Sequence, residues 1–390
     1  MAKKFAIGLN YFFDNQSNSG IVNYIFNIIA ALNTLPDDEK PKIVVFYSTN
    51  APIDYLKSIE YPFIEYILFN QYPSNIIARK ANALIRKLFK RDIYKQFKYF
   101  NNINSLYPYF ETYDYAFADF KNKIYWLVDF NNRAFPLHYA DKGENMLSLQ
   151  RKITNSTQTV VLSSNALFDE LKQYYPDFKC TIKVMRFASS LPSFNEEDVT
   201  KTQKNYNITQ PYLMSPNQLW EHKNQSLVLE ALNIIRQKEP LLKFKTLFSG
   251  SLEVNRGKGL YIDLLKQKIK EYNLEDFVSF MGVLDRGDQL LLMKGCSALI
   301  QPSLYEGWST LVEEAKALNK FIILSDLPVH KEQITENVTF FDPSNASELA
   351  EKIIAQLKRP ANIVKTDYSE NIKKYGREIL SALTDNRSIA

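Results

Sequence analysis

The stretch Gln301-Pro302-Ser303-Leu304-Tyr305-Glu306-Gly307-Trp308-Ser309-Thr310-Leu311-Val312-Glu313-Glu314-Ala315 decides how the chain is read. It follows a short apolar run, Ala298 to Gln301, and leads into a periodic run, Leu311 to Leu318, so it reads as a strand turning into a helix. Open α/β sheets bind their ligands at such carboxyl-terminal strand ends. Gly307 lets a ligand come close to the backbone. Ser309 or Thr310 can cap the helix while amides of its first turn face an anion such as a diphosphate.

The same strand-helix alternation extends in both directions. Before the stretch lie Tyr212 to Ser215 as strand, Gln225 to Gln237 as helix, Phe244 to Ser249 as strand, Tyr261 to Tyr272 as helix, Val278 to Met281 as strand and a helix near Asp288 to Lys294; Phe321 to Leu324 is a strand beyond it. Nearer the start, Phe5 to Leu9 reads as a buried strand, followed by a polar loop, Asp14 to Gly20, and a helix, Ile21 to Leu32. Ile43 to Tyr47, Lys123 to Val128 and Thr159 to Ser163 are further strands, the last leading into a helix from Ala166 to Tyr175. This is an α/β pattern of parallel sheet units in two regions. The polar stretch 189–207 (SSLPSFNEEDVTKTQKNYN) separates them and reads as a linker. Residues 1–188 then form one domain and residues 208–366 a second.

Composition agrees with two folded domains. The 390 residues carry 48 Lys+Arg against 43 Asp+Glu, a formal charge of +5, with 45% hydrophobic residues, so a disordered chain is excluded. Single cores stop growing at roughly 250 to 300 residues, which also favours two domains, with a cleft between them as the expected ligand site. Two cysteines, Cys180 and Cys296, give no disulfide framework, and three histidines without a Cys-x-x-Cys pair give no zinc cluster. A reducing, cytoplasmic setting fits. The first apolar run ends at Asn10, short of a signal-peptide core, and no stretch approaches the roughly 18 to 20 apolar residues that cross a bilayer. The 24 Tyr and 26 Phe are scattered without a nucleic-acid motif, so nucleic acid is not the expected partner.

Residues 79–100 (RKANALIRKLFKRDIYKQFKYF) stand apart, with eight basic residues against one acid, Asp92, and apolar positions recurring at three- and four-residue steps. Two readings are open. Leu84, Ile85, Leu88 and Phe89 can form the core-facing stripe of a solvated helix, or the stretch can be a basic amphipathic surface leaning on an anionic membrane or a phosphorylated lipid-linked acceptor.

Two segments can carry chemistry. Glu306 and Glu314 are eight residues apart, which on an ideal helix puts them about 80° from alignment and about 12 Å apart along the axis. That separation suits two parts of one extended ligand better than a shared metal. As ionised carboxylates they accept hydrogen bonds only: Glu314 can take both hydroxyls of a ribose and Glu306 those of a transferred sugar. Alternatively, Glu313 and Glu314 make an ordinary solvated helix face. In the second segment, Asn217-Gln218-Leu219-Trp220-Glu221-His222-Lys223-Asn224, Lys223 is placed early in a helix, where its charge can neutralise a leaving diphosphate. His222 reads as a loop hydrogen-bonding group and Trp220 as packing.

Together these two segments resemble the retaining glycosyltransferase family 4, of GT-B fold, with two Rossmann-like doubly wound domains facing a central cleft. The family's Glu-x7-Glu element falls on Glu306 and Glu314, and its donor-phosphate lysine on Lys223. The resemblance is specific over Tyr212 to Leu324 and looser over 1–207. It implies a donor site made by Gly20, Gln218, Lys223, Gly307, Trp308, Ser309, Thr310 and Glu314, catalytic roles for Glu306 and Lys223, and an acceptor side near Asp129 and Asn131. Three departures stand out: one glycine, Gly20, of the family's usual pair; Asp129 without the histidine that often precedes it; and Gln218 where the family has an arginine. The tail, 367–390, is expected to cross back onto the first domain. No Asp-x-Asp occurs, so no metal or other cofactor is expected. The expected partners are a nucleotide-sugar donor and a glycan or lipid-linked acceptor. Epimerisation of a sugar nucleotide and a silent nucleotide-sugar-binding subunit are the alternatives.

Overall fold

The structure is a computed structural model describing residues 4–11, 19–68, 75–89, 102–110, 117, 120, 122–136, 143–252 and 259–384. In chain order these form β1 (Ala6–Tyr11), α1 (Ser19–Asn33), β2 (Lys42–Tyr47), α2 (Ile53–Lys57), β3 (Ile64–Leu68), α3 (Ile76–Phe89), β4 (Ser105–Tyr109) and β5 (Lys123–Trp126). Next come α4 (Asn131–Ala134), α5 (Gly143–Thr154), β6 (Thr159–Leu162), α6 (Asn165–Tyr174), β7 (Thr181–Val184), α7 (Glu196–Asn205) and β8 (Tyr212–Ser215). The rest are α8 (Gln225–Lys238), β9 (Lys245–Ser249), α9 (Gly259–Glu271), β10 (Val278–Gly282), α10 (Arg286–Gly295), β11 (Ala298–Gln301), α11 (Thr310–Ala317), β12 (Ile322–Ser325), α12 (Pro328–Gln333), β13 (Val338–Phe341), α13 (Ala346–Lys358) and α14 (Ser369–Thr384).

The chain divides into two compact units. The first comprises Met1–Phe130, Asp141–Ser190 and Ser369–Ala390, the second Asn131–Ala140 and Leu191–Tyr368. The first unit carries a seven-stranded sheet in the order β3-β2-β1-β4-β5-β6-β7, the second a six-stranded sheet in the order β10-β9-β8-β11-β12-β13. All the strand pairs described are parallel. In each sheet the order reverses beside the unit's first strand, between β1 and β4 and between β8 and β11. Crevices for ligands open at such reversals.

Strands β8, β11 and β12 of the second sheet are short, mostly apolar runs buried at every position, as a sheet covered by helices on each side requires, whereas the edge strands β10 and β13 are largely half-buried. Side chains alternate between the faces. Leu213, Ala298, Ile300 and Ile323 pack with Val228 and Leu232 of α8, Leu265 of α9 and Ile353 of α13. Tyr212, Met214, Leu299, Ile322 and Leu324 pack with Leu290 of α10 and Leu311 and Val312 of α11.

In the first unit β1 is buried at every position. Tyr24 of α1 stacks on Trp126 at the end of β5 with ring centroids 3.8 Å apart. The tail forms α14, which packs on α1 so closely that a Cβ on Gly376 would strike the carbonyl of Ala31. Lys183 of β7 donates to the Ser381 carbonyl of the same helix at 3.1 Å.

Two expected boundaries differ. The stretch read as a linker, 189–207, holds α7 from Glu196 to Asn205 and joins the second unit from Leu191 onward. Asn195 caps α7 by accepting from the Asp198 amide at 2.7 Å, and Glu196, Glu197 and Asp198 sit in its first turn, where the helix dipole favours acids. Only Val199 and Thr202 of this helix are buried, so its sequence looks like that of a loop. Residues Asn131–Ala140, expected within the 1–188 domain, group with the second unit.

Candidate functional site

The loops that leave β8 and β11 lie side by side at the reversal of the second sheet, and several hydrogen bonds bind them together. The Leu304 amide donates to the His222 carbonyl at 2.8 Å. Asn224, held in the left-handed region at φ 57, donates through Nδ2 to the Pro302 carbonyl at 3.1 Å and to the Pro343 carbonyl at 2.9 Å. Asn217 Nδ2 reaches Gln301 Oε1 at 2.7 Å. Gly250 closes in from the end of β9: at φ 141 its backbone lies against Asn217, and a Cβ there would come within 2.6 Å of the Asn217 carbonyl oxygen. Only glycine fits that approach.

Glu306 stands at the centre of this arrangement. Its Oε1 accepts from Lys223 Nζ at 2.6 Å, Gln301 Nε2 at 2.5 Å and Ser303 Oγ at 2.7 Å. Lys223 ends a single 3-10 turn, Glu221–Lys223, and its side chain is 18% exposed against 9% for Glu306. Burial pushes the Glu306 carboxyl up, but the Lys223 charge and the hydrogen bonds from Lys223 and Ser303 outweigh it and leave the group below its ordinary range. Glu306 is therefore an anion at neutral pH and can only accept. Its Oε2 accepts nothing among the described residues, and two of the three Lys223 N–H groups are likewise uncommitted there.

Behind this pair lies His330 of α12, fully buried. Its Nδ1 lies 2.8 Å from the Ser325 carbonyl, which fixes the proton on Nδ1. Nε2 is buried and has no partner among the described residues. Burial holds the ring below its ordinary titration range, so it is neutral at pH 7 and acts as a cation on Glu306 only in acid. Ser325 Oγ in turn donates to the Ser303 carbonyl at 2.7 Å, which fixes the loop that carries Glu306.

Ser309 caps α11, its Oγ accepting from the Val312 amide at 3.3 Å. Gln333 holds the same residue by both of its backbone groups: the Ser309 amide donates to Oε1 at 3.1 Å, and Nε2 donates to the Ser309 carbonyl at 2.7 Å. Glu306 lies in the loop ahead of α11, not on one helix with Glu314, because the capped helix begins at Thr310. The ideal-helix separation inferred from the sequence therefore does not apply.

Nor do Glu313 and Glu314 form a solvated face, since both are buried. Glu313 is engaged by Tyr368, Lys316 and Gln333. Glu314 Oε1 is paired with Arg286 at the start of α10, and its Oε2 accepts nothing among the described residues. Glu306 and Glu314 thus each have one oxygen tied to a cation and one left to accept a hydroxyl.

The structure brings Lys223, Glu306, Gly307, Trp308, Ser309, Thr310 and Glu314 together on the two loops and α11. Gln218 is on the β8 loop with its side chain exposed, and its carbonyl accepts from Gln225 Nε2 at 3.0 Å. His222 is buried against Trp220 and against Phe135, with ring centroids 5.3 and 5.9 Å away. Gly20 and Asp129 belong to the first unit. Gly20 is the second residue of α1, where a Cβ would meet nothing within 4 Å, and Asp129 lies just past β5, half-buried. Asn131, buried at the start of α4, groups with the second unit. Arg286, His330, Gln301, Ser303 and Gln333 were not singled out from the sequence. Among the described residues no cluster of three or more His, Cys, Asp or Glu is placed to hold a metal ion, and no helix is long and apolar enough to cross a membrane.

Two doubly wound parallel sheets are the GT-B architecture, and solved GT-B structures share it along nearly the whole chain. The glycosyltransferase of Rickettsia africae is 16% identical, with a TM-score of 0.61 over 99% of this chain and 95% of that one. Anabaena HepE, solved with UDP and glucose, is 17% identical, with a TM-score of 0.66 over 97% and 95%. At these identities the likeness is one of fold. Residues 197–379 match the family described as Glycosyl transferases group 1. The O-antigen chain mannosyltransferase RfbU of Salmonella typhimurium is 27% identical over 155 residues, a match that spans 39% of this chain and 39% of that relative.

Proposed function

We propose that the chain is a metal-independent, retaining glycosyltransferase of family 4. It would move a sugar from a nucleoside-diphosphate sugar to a hydroxyl of a growing cell-surface glycan, either a polysaccharide or a lipid-linked acceptor, in the cytoplasm. The observation that carries this reading is the ion pair of Lys223 and Glu306 at the β8/β11 reversal, part-buried and joined to both loops. The family match over 197–379 and the mannosyltransferase relative support sugar transfer, and HepE, solved with UDP and glucose, supports a nucleotide-sugar donor.

Sugar transfer needs charge stabilisation on the departing diphosphate. Lys223 supplies a cation fixed by Glu306, so little reorganisation is needed as the negative charge develops. Gly307 and the first turn of α11 give the close backbone approach and the positive helix end that suit phosphate oxygens. Glu306 offers Oε2 to hydroxyls of the transferred sugar, and Glu314 offers Oε2 to the ribose. Ionised and held by three donors, Glu306 positions the sugar and supplies no proton.

The test is turnover. Nucleoside-diphosphate glucose and mannose donors are incubated with the chain and lipid-linked or free glycan acceptors in the presence of a chelator, and released nucleoside diphosphate is measured. The reading predicts release that persists with chelator and a product with the anomeric configuration of the donor. Inversion would overturn the mechanism, and epimerised donor without transfer would overturn the activity.

A further inference from the structure

Helix α3, Ile76–Phe89, packs the opposite way to an ordinary surface helix. The only fully buried side chain described along it is Asn82, whereas Ile77 is 74% exposed, Leu84 59%, Leu88 63% and Phe89 67%. At about 100° per residue, Ile77, Leu84 and Leu88 fall within roughly 40° of one another, so they form one apolar stripe facing outward, which Ala81 and the half-buried Ile85 continue. Lys80 and Lys87 border its other edge, both exposed. Of the two readings open from the sequence, a core-facing stripe is not what Leu84, Leu88 and Phe89 form; residues 90–101 lie outside the described residues.

A stripe of this kind needs an apolar partner, and its charge restricts the choice. The fourteen residues of α3 hold four cations, Arg79, Lys80, Arg86 and Lys87, and no acid. A second copy of the helix would bring like charges together. An anionic bilayer meets both requirements: apolar side chains enter the boundary of headgroups and acyl chains, while lysine stems stretch along it with their ammonium groups among the lipid phosphates. We propose that α3 docks the protein flat on an anionic membrane surface, with Ile77, Leu84 and Leu88 inserted and Lys80 and Lys87 at the headgroups. The docking stands independently of the reaction proposed above.

Cosedimentation of the full chain with vesicles of phosphatidylglycerol and phosphatidylcholine, and with vesicles of phosphatidylcholine alone, tests this. Binding to the first, weakened by salt, and little binding to the second are expected. Lys80→Gln with Lys87→Gln should weaken binding by roughly thirtyfold, about fivefold per lysine. Leu84→Ser with Leu88→Ser should abolish it while leaving the thermal midpoint unchanged, since both side chains are already exposed. No binding by the wild type, or equal binding by both variants, would overturn the proposal. So would wild-type dimerisation that the leucine variant dissolves, because it would identify a second copy as the occupant.

Discussion

Replacing Lys223 by Met keeps the bulk of the side chain and removes the cation beside Glu306. Breaking a buried ion pair by deleting one partner costs about 3–5 kcal/mol, and the 18% exposure of Lys223 lets water soften this to about 2–3 kcal/mol. In a unit of this size that is a fall of roughly 4–12 °C in the thermal midpoint. The loss should depend on pH in a defined direction. In the wild type the Glu306 carboxyl titrates below its ordinary value of 4.5, so its stabilisation is present above 4.5 and is lost as pH falls through the lowered value. Without Lys223, burial dominates and the carboxyl titrates above 4.5; its contribution is then present below 4.5 and lost as pH rises through the raised value. The gap between wild type and variant must therefore narrow as pH falls through the raised value toward 4.5. Differential scanning fluorimetry at pH 7 and about pH 5 reads this, and donor turnover should fall by about 10²–10³ in kcat/KM. Equal midpoints, or a gap that widens in acid, would refute the electrostatic account of the pair.

Three further expectations rest on separate parts of the structure. Glu314→Ala should raise the donor KM by about 10- to 150-fold with kcat nearly kept, the loss of one hydrogen bond to a charged group; unchanged KM in steady-state kinetics would remove the ribose assignment. His330, neutral and faced by Glu306, Lys223 and Asp326, titrates below its ordinary value of 6.5, so stability should fall as pH drops below 6.5, by up to about 1.4 kcal/mol per pH unit. His330→Gln should flatten that part of the melting profile, and an unaltered profile would mean that the ring is not what resists protonation. Gly376→Ala should force α14 away from Ala31 of α1 at a cost of about 1–3 kcal/mol, seen as an earlier melting step of the first unit. An unshifted step would show that the two helices yield.

How much was legible in the sequence followed the physics of each element. β8 and β11 stood out as uninterrupted apolar runs because both faces of a parallel sheet are covered. β4 did not, because Pro108 breaks its run; nor did β7, which carries Lys183, or α7, whose surface is almost wholly polar. The site was legible where one loop holds its own signature, as with Glu306, Gly307 and Ser309, or Lys223 after β8. Arg286 and His330 were not, because they come from α10 and α12 and reach their glutamates only through packing. Nothing in the local sequence of either marks it as a partner of Glu314 or Glu306. The same limit misplaced Glu306 on a helix, since the start of α11 is fixed by Ser309 and by Gln333 from a distant element.

The central claim is that a donor diphosphate binds at the β8/β11 reversal of the second unit. A crystal structure with a bound nucleoside diphosphate tests it most directly. The account predicts phosphate oxygens within hydrogen-bond distance of Lys223 Nζ and ribose hydroxyls on Glu314 Oε2, with the Glu306 loop unmoved. A nucleotide bound elsewhere, with the Lys223–Glu306 pair closed and untouched, would contradict it.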